Sequence, residues 1–136
     1  MGTWGAGTLE NDTAVDWMYG LGEVPDLSLI EGTINRALAI GDDNLEAADA
    51  EEAIAAAETV ARLLGNFGVR NDYTRTMDDW VSWMPERPSL ELLIKARRIV
   101  ARVRQPPSEL LERWSRSDEA EAWSRSLADL LIRLGA

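Results

Sequence analysis

Apolar residues recur three and four positions apart along most of this chain, and nowhere do they alternate with a period of two over a useful length. A repeat near 3.6 residues buries one stripe of a helix, whereas a period of two buries one face of a strand. The pattern therefore confines the chain to an all-α fold, read as a single compact bundle of five to seven short helices over residues 1–136.

Local punctuation divides the pattern. Asn11 or Asp12 caps a first helix running to about Tyr19, closed by Gly20, Gly22 and Pro25. Ser28 and Glu31 form a capping box for a second, with Ile30, Ile34, Ala37 and Leu38 on its apolar face and Gly41 at its end. Asp49 and Glu52 repeat that logic before a third, whose Ile54, Ala57, Ala61 and Leu64 share a face and whose stop is Gly65. Residues 66–75 show no sustained periodicity and read as a loop. Thr76 caps a fourth helix with Met77, Trp80, Val81 and Met84 on one side, ended by Pro85. Ser89 opens a fifth, in which Leu92, Leu93, Ala96, Ile99, Val100 and Val103 fall on one arc, with Ile94 and Ala101 on the reverse. Apolar residues on two sides predict a central helix near residues 90–104, covered twice. Pro107 suits the first turn of a sixth helix with Leu110, Leu111 and Trp114. Asp118 and Glu121 open a seventh, whose Trp123, Leu127, Leu130, Leu131 and Leu134 form a stripe flanked by the exposed pairs Glu121–Arg125 and Asp129–Arg133.

The 136 residues include no cysteine and no histidine, which removes disulfides, thiolate metal sites, the usual general base and the commonest metal ligand. No stretch approaches the roughly 20 apolar residues that span a bilayer, and no basic segment precedes an apolar run. A cytoplasmic protein without membrane contact is expected. Charge is lopsided: residues 1–58 hold 13 acids and one base, Arg36, for a net −12, while residues 59–136 come to +2. Such a half repels phosphate, so no nucleic-acid binding is expected; a cationic partner, or a basic part of the same chain, is its natural counterpart. Five cations, Lys95, Arg97, Arg98, Arg102 and Arg104, crowd an acid-free stretch, and at least two are predicted to pair with carboxylates of the first 58 residues.

The opening is distinctive. Gly2, Gly5 and Gly7 around Trp4 offer a backbone free to reach positive φ and read as a plug that seats Trp4 in the core. Met1, Gly2, Trp4, Gly5 and Gly7, then Asn11-Asp12, then Asp16-Trp17, resemble the start of a bacterial family known only as a domain of unknown function. The likeness continues through the alanine-rich residues 53–61, through Ser108, Glu109, Leu110 and Trp114, and along residues 123–134. Leu9 departs from it, standing where an aromatic residue is expected. The resemblance implies a bacterial, cytoplasmic origin and no chemistry.

Two carboxylates four apart on one helical face, Asp12 and Asp16, have the oxygen chemistry of a Mg²⁺ or Mn²⁺ ligand pair. Two are too few, and a second pair would have to come from Asp42 and Asp43 or from Glu52 and Glu58; capping and solvation account for each more simply. Asp12, Asp16, Asp42 and Asp43 are therefore assigned to an acidic surface, with no catalytic, cofactor or metal residue. Among six tryptophans, Trp83 lies off the apolar stripe of its helix, and with Met84 and Arg87 it makes the candidate contact surface, since tryptophan and arginine anchor interfaces. The expected function is a small acidic protein-binding module that recognises a cationic partner, like an inhibitor or immunity protein. The alternative is a carboxylate-based, metal-dependent hydrolase.

Overall fold

The computed structural model describes residues 2–135, so Met1 of the opening motif lies outside it. Seven α-helices and one short 3₁₀ turn account for its regular structure, with no strand among the described residues. They are α1 (Asp12–Leu21), α2 (Ser28–Ala39), α3 (Ala47–Leu63), α4 (Arg75–Trp83), α5 (Leu90–Val103), α6 (Glu109–Ser115) and α7 (Ala120–Arg133). None of the described helices is long and apolar enough to cross a membrane.

Several boundaries follow from local chemistry. The Asn11 side chain accepts the Ala14 amide at 2.8 Å, and Ser89 accepts that of Leu92 at 3.0 Å. Gly41 (φ 63°) and Gly65 (φ 87°) turn the chain out of α2 and α3 through the left-handed region that favours glycine. Other boundaries differ from expectation. Ser28 is the first residue of α2 rather than its cap, and its amide is held by Asp26 Oδ1 at 3.0 Å. Pro107 precedes α6, and Ser108 supplies the cap. Helix α3 starts two residues before Asp49, because the Ala47 amide donates to Glu109 Oε1 of α6 at 2.7 Å. A cap from 62 residues downstream leaves no trace in local sequence.

The central helix is α3, not α5. It packs against each of the other six helices, and every residue from Ala53 to Leu63 is buried. Its alanines let neighbours approach from all sides, as a helix buried all round requires. Helix α5 packs on α2, α3 and α7, while its reverse side stays open: Ile94 is 44 % exposed and Ala101 is exposed. Leu90, 69 % exposed, stands one turn before Ile94 on the same side, so three apolar residues of α5 lie uncovered there and no second layer packs over them among the described residues.

Trp17 and Trp80 are buried with their indole N–H groups donating to Thr33 Oγ1 and the Val24 carbonyl, each at 2.9 Å. Trp4 is not in the core. It is 45 % exposed and rests against Tyr73, ring centroids 5.5 Å apart. Leu9 is the buried member of the opening segment. Neither Gly5 nor Gly7 has positive φ. Gly5 and Gly7 instead leave room for the Glu10 carboxylate, which a Cβ at Gly5 would meet at 2.6 Å and which accepts the Gly7 amide at 2.8 Å.

Candidate functional site

Glu58 and Arg62 stand one turn apart on α3, and because that helix is covered all round, both charges are inside: 1 % and 2 % exposed. Burying a charge is costly unless it is paired and hydrogen-bonded, and here each is. Arg62 Nε donates to Glu58 Oε2 at 3.0 Å, its Nη1 to Asp78 of α4, and its Nη2 to the Val69 carbonyl at 2.6 Å. Glu58 also accepts both terminal nitrogens of Arg133, at 2.6 and 2.9 Å, and the Thr8 hydroxyl at 2.6 Å. Asp78 accepts the Thr74 hydroxyl at 2.7 Å, and Arg133 Nε donates to Asp129 at 2.8 Å. Phe67 lies under Arg62 and Arg70, their guanidinium carbons 5.7 and 4.5 Å from its ring centroid. Four distant segments thus meet on α3: the opening arm, the loop of residues 66–74, α4 and α7. No buried side-chain nitrogen or oxygen among the described residues lacks a partner.

Above this network is a cavity of about 270 Å³. Glu58, Arg62 and Arg133 line it, Trp4 and Tyr73 stand at its side, and Glu10 and Asp129 add further carboxylates. Burial pushes Glu58 up, but the Arg133 hydrogen bonds, the charges of Arg62 and Arg133 and the Thr8 hydroxyl outweigh it, holding the carboxyl below the usual 4.5. Burial likewise pulls Arg133 down, and its bonds to Glu58 and Asp129 more than restore it, so its pKa is raised. A carboxylate held ionised by two guanidiniums is a weak base, so the Thr8 hydroxyl beside it is not activated as a nucleophile.

The residues singled out from sequence lie elsewhere. Asp12 and Asp16 are exposed on α1, and Asp42 and Asp43 are exposed in the turn after α2. Among the described residues no three of Asp, Glu, His or Cys converge to hold a metal ion, and Glu58 is spent on arginines. Of the proposed contact trio, Trp83 is 63 % exposed and Arg87 is exposed as well. Met84 is buried in the core, since it completes the apolar face of α4, and Arg87 Nη1 is tied to the Leu63 carbonyl at 2.6 Å. The cationic stretch on α5 does not pair with carboxylates of the first half: Lys95 meets Glu91, Arg97 the Leu134 carbonyl, and Arg104 the Ser124 hydroxyl. Arg102 does reach the first half, but through the Gly41 and Asp43 carbonyls, at 3.0 and 2.7 Å. The cation that fastens the halves through a carboxylate is Arg133, read from sequence as an exposed partner of Asp129. The sequence carries no signal for the network: Glu51, Glu52, Glu58, Thr59 and Arg62 share one arc of about 120° on α3, which reads from sequence as an ordinary solvated face.

No curated protein and no solved structure matches this chain. A family model described as a domain of unknown function (DUF4259) matches residues 2–126, which include the arm, α3, the loop and α4 and stop short of Asp129 and Arg133. Since that match covers most of the sequence, the chain belongs to the DUF4259 family.

Proposed function

We propose that this chain is a non-enzymatic binding module of the bacterial cytoplasm whose acidic half recognises a cationic protein surface, in the manner of an inhibitor or immunity protein. One observation carries the reading. Of the 13 carboxylates in residues 1–58, Glu58 alone takes part in an ion pair among the described residues, whereas the cations of the second half are mostly engaged locally. The excess negative charge is therefore left facing outward. Asp12, Asp16 and Tyr19 project from one exposed stripe of α1, and Asp26, Glu31, Asp42, Asp43 and Glu46 are exposed as well. Helix α4 packs beside α1, and Trp83 at its end supplies an aromatic anchor near that field. A field of this sign speeds encounter with a basic protein and disfavours nucleic acid.

Capture from the source cell at about 0.15 M salt tests it, with native protein and an Asp12→Asn, Asp16→Asn, Asp42→Asn, Asp43→Asn variant run side by side. A basic partner retained by the native chain and lost from the variant is expected. Identical capture by both overturns the reading.

A further inference from the structure

The cavity over the Glu58 network has a chemistry of its own, and we propose that it is a binding site for a small alkylammonium ion. Its cationic groups are already committed. Each nitrogen of the Arg62 guanidinium has a protein acceptor, and so has each nitrogen of Arg133. Of its anionic groups Glu58 is spent on the arginines, but Glu10 uses Oε1 for the Gly7 amide and Asp129 uses Oδ2 for Arg133, which leaves one oxygen of each uncommitted among the described residues. Three carboxylates against two guanidiniums line the space, so an incoming anion meets a net negative wall and arginines already paired with carboxylates.

Trp4 and Tyr73 supply what a cation uses besides charge. Their rings are inclined by 43° with centroids 5.5 Å apart, and they remain 45 % and 64 % exposed at the cavity's side rather than joining the core. An aromatic pair lining the same cavity as three carboxylates supplies the components with which proteins hold quaternary ammonium groups, ring quadrupoles and negative charge. At about 270 Å³ the space lies just below the roughly 300–1,000 Å³ of drug-sized pockets, which suits an ammonium on a short stem. This inference stands apart from the protein-partner reading, which concerns the outer carboxylates of α1 and α2.

Calorimetric titration with choline, and with dimethylbutanol as its uncharged isostere, tests the site. Saturable choline binding is expected, at least about tenfold weaker for the isostere. Trp4→Ala and Tyr73→Ala should each weaken choline at least about fivefold while leaving the denaturation midpoint nearly unchanged, and Trp4→Phe should restore most of the affinity. The four-asparagine variant should bind choline as the native protein does, so the two readings fail separately. A free ion and a partner's side chain share this chemistry: a trimethyllysine peptide at least tenfold tighter than choline assigns the source to a protein, and equal affinity assigns it to a free ion. No choline binding, equal binding of the uncharged isostere, binding of phosphate in place of choline, or unchanged affinity in both alanine variants overturns the proposal.

Discussion

Glu58 is 1 % exposed and touches two guanidiniums and a hydroxyl, so its removal does more than delete one pair. Glu58→Ala removes the carboxylate shared by the two guanidiniums, leaving Arg62 with Asp78 and Arg133 with Asp129, and should cost about 3–5 kcal/mol, read as a shift in urea midpoint; a shift under about 1 kcal/mol would contradict the network's role. The same residue sets a pH window. Its folded pKa lies below the unfolded value near 4.5, so its stabilisation is complete above that value and is lost as pH falls through the folded pKa. In Glu58→Gln the group no longer titrates, so the stability gap between native protein and variant should narrow below about pH 4.5. Trp4 lies at the other extreme. A core indole would cost about 3 kcal/mol to remove, but at 45 % exposure Trp4→Ala should cost less than about 1 kcal/mol in the same assay.

Among the elements, α3 decides the packing. Its alanines are small enough for six helices to reach it, and Ala56 is wholly buried. Ala56→Leu should overpack that junction and cost about 1–3 kcal/mol, whereas Ala101→Leu on the open side of α5 should change stability by no more than about 0.5 kcal/mol. Comparable losses from the two, measured by thermal unfolding, would return α5 to the centre. Helix existence and type were legible because 3.6-residue periodicity and caps such as Asn11 and Ser89 are local properties. The start of α3 was not, because its cap comes from α6. Nor was the identity of the central helix: a stripe shows how much of a helix is apolar, not how closely neighbours approach small side chains.

At the scale of the molecule, net charge is −10 and the ion pairs are mostly exposed contacts within single helices, worth about 0–1 kcal/mol each. Self-repulsion in the acidic half is therefore the larger salt-sensitive effect. Raising salt from about 0.02 to 0.3 M should raise Tm by a few degrees, as screening relieves that repulsion. A fall in Tm would mean that the internal pairs dominate instead.

Sequence alone determined the all-α class, the approximate run of seven helices, the buried faces of α4 and α7, the lopsided charge and the likeness of the opening to a family without assigned activity. Each depends on residues near one another in the chain or on sums over it. Tertiary structure decided which helix is central, which arginine meets which carboxylate, and that Trp4 and Tyr73 flank one cavity. Arg133 and Glu58 are 75 positions apart, and only the packing of α7 and the opening arm around α3 turns two ordinary surface residue types into a buried pair. Periodicity reports how a segment meets a core; it carries no information about which segment comes from the other side.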